Sequence, residues 1–448
     1  MNYASFKEAV AAAAAEAGIQ DYELYYMEDE SVSISTFQTE IESFSSSVSG
    51  GVCFRCIVNG KMGYAATELL DGEQAREIVR RAAENAHTIE NADEVFLHSA
   101  GDPYQETAPY ETPLPTSEQM IPFVLDCQRK AYDADSRVCD GTQAQFFAGR
   151  TVVRLTNSRG LDLQNTSGFQ CGLVEAILED GGEKYSGYDY RVGDLPQISR
   201  RDLVNGAVAR SAGTIGAEVA ESGKYTVVFD PQVMADLLAI FCPAFSSDNA
   251  QKGLSLLKKK EGEVIAAPGV TLVDDPFYPG STVQTSFDAE GVATGAKNVI
   301  EDGVLKTLLY NLKTAAKEGR RSTGNAYKAG YASNVSIAPY SFYLKPGALS
   351  REELLRQVGN GVYITEINGG HAGASAVTGD FSLQSAGFLI ENGQLGRPVR
   401  GFTMADNFFS LLKKIRLIGS DLTFGIPSGF TVFGAPTVSA EEVSIAGK

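Results

Sequence analysis

The chain has 448 residues, of which 43% are hydrophobic and 21% charged, with a formal net charge of −18. That length exceeds one ordinary core and points to two or three domains. The excess acid opposes nucleic-acid binding, which rests on Lys and Arg displacing counterions, and no apolar run approaches the roughly 18 residues a membrane span needs.

The alanine tract near the start is preceded by Glu8 and interrupted by Glu16, without a basic leader. It predicts a helix over 5–17, not a signal peptide, and so a cytoplasmic protein. Residues 21–66 read as a strand meander, YELYYM, SVSISTFQTEIESF, GGVCFRCIV and MGYAAT, with a hairpin turn at Asn59-Gly60. Asp71 with Gln74 opens a helix, and a Pro-rich link follows over 102–115. Thr116 with Gln119 starts another helix to about Ala134. Strands are predicted over 144–155, 168–178 and 184–190, then a helix from Ser199 to about Gly213. Residues 1–220 thus show two rounds of helix, antiparallel strands and helix, without a residue-level repeat.

Cys53 and Cys56 form a C-x-x-C, a spacing that suits redox chemistry or half a zinc site. On a strand, however, residues three apart face opposite ways, so the thiols do not converge. Buried, reduced cysteines are the expectation.

From Lys224 the texture changes. KYTVVFDPQVMADLLAIF reads as a buried strand, a turn at Asp230-Pro231 and an apolar helix to about Phe241, with Pro243 unable to continue it. Strands are predicted at 270–275, 282–288, 296–301, 303–310, 333–339, 361–369, 386–391 and 401–406. Asp302-Gly303 and Asn392-Gly393 are hairpin signals; Ser350 with Glu353 caps one helix and 406–418 makes another. The expected fold is α+β. An N-terminal α/β domain with antiparallel strands and helices (1–220) precedes a β-rich, barrel-like domain with peripheral helices (221–448).

The sequence shows no complete catalytic constellation. It has three histidines, and no G-x-S-x-G, P-loop or dinucleotide fingerprint occurs. His87 and His98 read as surface residues. His371 lies in the glycine loop NGGHAG, where backbone can approach a ligand, but it has no neighbouring Cys or His to share a metal. Thr378-Gly379-Asp380 is either a backbone anion nest or a strand-entry turn. Ser322-Thr323-Gly324-Asn325 is a third polar turn between strands. A hydrolase with an unusual nucleophile would have to use Asp or Glu as its general base.

FDAEGVATGAKNVIEDGVLKTLLYNLKTAAKEG, STGNAY, SAVTGDFSLQSAGFLIENGQLGRPVRGFTMADN and the final VSIAGK, in this order, resemble the TldD/PmbA family. The resemblance covers most of 224–448, and the order of the N-terminal elements agrees. It implies a two-branch family forming heterodimers. The TldD branch carries H-E-x-x-x-H on the helix after the opening strand and a later cysteine as third zinc ligand. Here that position holds Ala239-Ile240-Phe241-Cys242-Pro243-Ala244, and no cysteine follows Cys242. The chain therefore resembles the PmbA (TldE) branch, the partner without metal. No catalytic and no metal residue is expected in it, and zinc only in a TldD-type partner.

The resemblance implies a zinc peptidase acting on unfolded or extended peptides, which would add as a strand to an exposed sheet edge. The alternative is a stand-alone homodimer that binds a peptide or small ligand without cleaving it. Gly370, His371, Thr378, Gly379, Asp380, Ser322, Thr323, Gly324 and Asn325 are the candidate cleft residues.

Overall fold

The computed structural model describes residues 1–90 and 94–448. Its first half repeats one plan. Helix α1 (Tyr3–Glu16), strands β1 (Asp21–Phe37), β2 (Glu40–Val58) and β3 (Lys61–Thr67) and helix α2 (Gly72–Thr88) form the first round. Helix α3 (Ser117–Ala134), strands β4 (Gln143–Asn157), β5 (Asp162–Asp180) and β6 (Glu183–Val192) and helix α4 (Arg200–Gly213) form the second. The strands make one antiparallel sheet in the order β3-β2-β1-β4-β5-β6, so the rounds meet at β1 and β4 and place β3 and β6 at the edges.

The caps fall where side-chain chemistry demands. Asp71 accepts from Glu73 N and Gln74 N, Thr116 and Gln119 form a capping box, and Ser199 accepts from Asp202 N. The first hairpin is longer than its sequence suggests, because β1 and β2 run unbroken for 17 and 19 residues. Cys53 and Cys56 are free and buried on opposite faces of β2, as the strand period requires.

The second half opens with β7 (Gly223–Phe229) and α5 (Pro231–Phe241), followed by a 3-10 turn and short α6 (Ser247–Gln251). Strands β8 (Leu272–Asp275), β9 (Lys297–Glu301) and β10 (Val304–Leu305) precede α7 (Leu312–Lys317) and the pair β11 (Ala326–Tyr327) and β12 (Ser336–Ile337). Strand β13 (Ser341–Leu344), α8 (Arg351–Val358), β14 (Gly361–Asn368) and one-turn α9 (Gly370–Gly373) lead to β15 (Asp380–Glu391) and β16 (Gln394–Asn407). Helix α10 (Phe408–Lys414) and strands β17 (Ile415–Ile418), β18 (Thr423–Phe424), β19 (Val432–Ala435) and β20 (Val438–Ala446) complete the chain.

Strands β16, β15, β14, β7 and β20 follow one another, and β20 pairs back to β16, closing a five-stranded barrel. A second sheet runs β10-β9-β8-β13-β19-β18. One core joins them through α5: Val233, Leu237, Leu238 and Phe241 pack among Phe229, Ile364, Leu383 and Phe402 of the barrel and Leu272, Ile300 and Phe342 of the second sheet. The fold is α+β, as expected.

Three hairpins fall at Asn59-Gly60, Asp302-Gly303 and Asn392-Gly393, each with both residues at positive φ. Elsewhere tertiary contacts override local pattern. Helix α10 stops at Lys414, and the predicted helical residues Ile415–Ile418 pair with β20 instead. The predicted strand over 282–288 is irregular and leads into a turn, in which Asp288 Oδ1 accepts from Glu290 N (2.9 Å) and Val292 N (3.0 Å). Only Val304–Leu305 of 303–310 is strand; the rest runs as loop with Leu308, Leu309 and Tyr310 buried.

That Asp288 turn carries one contact between the halves. Tyr25, Met27, Cys53 and Leu155 of the first sheet pack on Phe287, Ala289, Tyr340 and Phe430. Tyr104 donates to Gly291 O (2.7 Å), and Asp102 Oδ2 accepts from Ala293 N (3.0 Å). His98, expected at the surface, is half-buried with Nε2 2.8 Å from the same Asp102 oxygen.

Candidate functional site

Strand β6 pairs with β5 on one side only, and its free edge borders a cleft of about 750 Å³. The strand alternates in burial. Tyr185 and Asp189 turn inward towards α4, and a Cβ on Gly187 would stand 2.3 Å from Ser211 N of that helix. The alternate residues Ser186, Tyr188 and Tyr190 line the cleft. Glycine at 187 thus lets the edge strand lie flat on α4 while two phenol rings project the other way.

The opposite wall comes from the second half: Asp230 and Gln232 at the start of α5, Thr365 and Glu366 of β14, Arg351 of α8, and Phe424 of β18. Tyr190 hydrogen-bonds through its hydroxyl to Gln232 Oε1 and, at 3.3 Å, to Phe424 O, tying the walls together. Gln232 Nε2 donates to Asp236 Oδ1 (2.7 Å), and the Tyr363 hydroxyl donates to Asp230 Oδ2 (2.7 Å). Burial pushes the Asp236 carboxyl up to about 6, against the Gln232 hydrogen bond, with the Asp230 charge adding to the rise. Burial also raises the Tyr188 and Tyr190 hydroxyls. Such a site, with a free strand edge, aromatic faces and both signs of charge, suits binding an extended chain.

None of the nine cleft candidates named from the sequence lines this cleft. The fold brings two of the three groups together. Gly370 and His371 form α9, where His371 is exposed, and Ala374 bridges to Phe381 at the start of β15. In the Thr378-Gly379-Asp380 turn, Asn407 Nδ2 donates to Thr378 O (2.8 Å) and Asp380 Oδ1 (2.9 Å), and Gly379 O accepts from Phe408 N (2.7 Å). This turn therefore anchors the N-terminus of α10.

The Ser322–Asn325 turn lies elsewhere, with its polar groups spent internally. Ser322 Oγ donates to Tyr310 O (3.0 Å), Gly324 N donates to Ser322 Oγ (3.1 Å), and Thr323 Oγ1 donates to Asn325 Oδ1 (2.7 Å). Buried Asn325 donates to Asp274 Oδ2 (2.7 Å) and Ala338 O (3.0 Å).

Helix α5 links the cleft to the glycine loop. Gln232, Asp236 and Ile240, each four residues apart, share its half-exposed face. Gln232 lines the cleft, while a Cβ on Gly370 would stand 2.7 Å from Ile240 Cδ1, so the two places lie about 12 Å apart along the helix. The far end is apolar. Phe241 stacks on Phe408 (ring centroids 4.5 Å, interplanar 12°) and tilts against Phe381 (5.9 Å, 56°). Cys242 is free, and burial, with the nearby Asp274 charge, pushes its thiol up.

Ala239 to Ala244 present no imidazole and no carboxylate, so these residues do not fit a zinc ion. Among the described residues, no group of three or more His, Cys, Asp and Glu side chains is placed to hold a metal.

The family description "PmbA/TldA metallopeptidase C-terminal domain" matches residues 222–447, and "PmbA/TldA metallopeptidase domain 1" matches 22–86. The chain belongs to the PmbA/TldD family. The protein described as metalloprotease PmbA of Escherichia coli O157:H7 is 25% identical over 407 residues, covering 87% of this chain and 85% of that protein. A Thermotoga maritima structure described as a modulator of a DNA gyrase is 31% identical, covers 99% of this chain and 100% of its own, and superposes with a TM-score of 0.89. TldE of Thermococcus kodakarensis, at 23% identity, 98% and 99% coverage and a TM-score of 0.86, shares the fold.

The cleft residues Tyr188, Tyr190, Gln232, Glu366 and Phe424, with Asp236 behind Gln232, escaped the sequence reading. One local signal was present: the alternating YSGYDYRV after a Gly181-Gly182 turn. That β6 is an edge strand facing α5 depends on the assembled sheets.

Proposed function

We propose that this chain is the non-catalytic, PmbA/TldE-type subunit of a TldD/TldE-type zinc peptidase that degrades unfolded or extended peptides. The observation that carries this reading is the far end of α5. Where the TldD branch would carry its two histidines stand Ala239 and Ala244, Ile240 takes the place of the glutamate and leans on Gly370, and Phe241 between them stacks on Phe408 and tilts against Phe381. Zinc then belongs to a TldD-type partner, and this chain contributes substrate-binding surface. An extended peptide would pair with the free edge of β6, with Tyr188 and Tyr190 against its side chains and the Gln232–Asp236 face leading on towards His371. Gly370 and the Thr378–Asp380 turn would then border the far end of that path, while Ser322–Asn325 would serve it by holding Asp274 and the second sheet in place. The domains are proposed as 1–220 and 221–448, the location as cytoplasmic, and nucleic acid as no partner.

Co-expression with a TldD-type chain tests this. The expected result is a mixed dimer that cleaves extended peptides, with neither chain active alone. A second reading, a stand-alone homodimeric protein that binds a peptide or small ligand without cleaving it, draws on the cleft between β6 and α5, where Tyr188 and Tyr190 meet Gln232, Glu366 and Phe424. It predicts peptide binding with no mixed dimer and no cleavage.

A further inference from the structure

Tyr190 is tied down along its backbone as well as through its hydroxyl. Gly193 N donates to Gln170 O (3.0 Å), which continues the register of β5 with β6 and turns the backbone groups of the odd-numbered residues of β6 towards β5. Those of Ser186, Tyr188 and Tyr190 therefore point to the free edge. At Tyr190 neither group is free. Its N–H donates to Asp189 Oδ1 (3.1 Å), and its carbonyl accepts from Arg191 Nη1 (2.7 Å). The same guanidinium nitrogen donates to Asp189 Oδ1 (2.7 Å), so one ion pair takes both groups that a guest strand would use.

The fold makes room for this pair. Asp189 is buried against α4, and a Cβ on Gly206 of that helix would stand 2.0 Å from Asp189 Oδ2. Glycine is unfavourable inside a helix, and here its missing side chain is the space the carboxylate fills. Arg191 is exposed and closes over the edge from outside. Side chains that occupy an open strand edge prevent further pairing there. The block is local, however, because Ser186 and Tyr188 keep their outward groups along the cleft.

We propose that Asp189 and Arg191 form a register stop for the bound peptide, which pairs with Ser186 and Tyr188 and leaves the edge at Tyr190. This rests on the pairing of a peptide with β6 proposed above, and it adds where that pairing ends. A guest strand running on past Tyr190 would place an N–H and a C=O opposite groups already taken, and burying them unpaired is costly. The Tyr190 side chain closes the same end, since its hydroxyl is spent on Gln232 Oε1 and Phe424 O. Towards Glu183 the edge runs on without such a block. The site therefore takes a short extended segment in a fixed register, with Asp189 and Arg191 as positioning residues and not catalytic ones.

Blocked peptides of alternating Val and Thr, grown residue by residue from a tripeptide core at either end, test this by titration against the full chain. In the wild type, growth past Tyr190 should bring no gain. Arg191→Met frees the Tyr190 carbonyl, and Asp189→Ala combined with Arg191→Met frees both groups. One series, and not the other, should then bind more tightly than in the wild type, on the order of tenfold in the double variant. Amide exchange of the unliganded chain needs no peptide: the Tyr190 amide should exchange about tenfold more slowly than that of Tyr188 in the wild type and Arg191→Met, and equally fast in the double variant. Both series gaining alike in the wild type, neither responding to the variants, or a wild-type Tyr190 amide as free as that of Tyr188 would each overturn the stop and leave pairing with β6 standing. Peptides that bind at no length would overturn the pairing itself, and the stop with it.

Discussion

Arg55 of β2 donates through Nε to Glu23 Oε1 at 2.7 Å and holds Nη1 3.8 Å from Glu290 Oε1, all three side chains being buried. Glu290 belongs to the FDAEG turn, so one guanidinium joins the first sheet to the second half. Among the described residues Glu23 Oε2 and Arg55 Nη2 have no hydrogen-bond partner, leaving the network incompletely satisfied. Removing the cation strands two buried carboxylates. Arg55→Met is predicted to lower stability by about 3–5 kcal/mol in chemical denaturation. Adding Glu23→Leu should recover part of that loss, since it removes one of the stranded charges.

The cleft makes a pH prediction. The raised Asp236 carboxyl binds its proton more tightly in the folded state than in the unfolded chain. Its contribution to stability is therefore full below about pH 4 and is lost as pH rises through about 6. Asp236→Asn should abolish that loss. The stability difference between variant and wild type should shift in the variant's favour by on the order of 2 kcal/mol across this window and stay flat above it. Urea denaturation at half-unit pH steps measures it.

Hairpins and caps were readable because single residues decide them. Asn-Gly and Asp-Gly pairs tolerate the positive φ that a two-residue turn requires, and a Ser or Thr with Glu or Gln three residues on meets the free N–H groups of a helix start. The strand-turn-helix of Gly223–Phe241 was equally legible from its apolar run and Asp-Pro turn. A barrel-like second half was expected from its density of turns, but the strands that close it were not legible, because the pairing of Thr403–Ala405 with Ser444–Ala446 joins residues about 40 apart without a local signal. The same pairing logic turns Ile415–Ile418 into strand. The cleft was hidden for that reason too, since Tyr190, Gln232 and Phe424 meet only once both sheets stand.

The helix and glycine loop give a packing prediction. Gly370→Ala would put its Cβ against the Ile240 side-chain tip at 2.7 Å and 3.3 Å from Cγ1. Overpacking of this kind costs about 1–3 kcal/mol. In an Ile240→Val background, which removes the Cδ1 atom, the cost should fall to less than half. Additive effects in the double-mutant cycle would contradict the contact.

In the cleft, Tyr188→Ala should weaken binding of a fluorescent extended peptide by roughly tenfold, the loss typical of one buried aromatic anchor. A peptide N-methylated at alternate amides should bind in only one of its two methylation registers, because a strand edge reads one set of alternating backbone groups. Equal binding of both registers would argue against pairing with β6.

The most direct test is the zinc content of the purified chain, measured by elemental analysis alongside peptide hydrolysis. The account predicts well under one zinc per chain and no cleavage by the chain alone, with both appearing only in complex with a TldD-type subunit. One tightly bound zinc per isolated chain, with peptide cleavage, would contradict it.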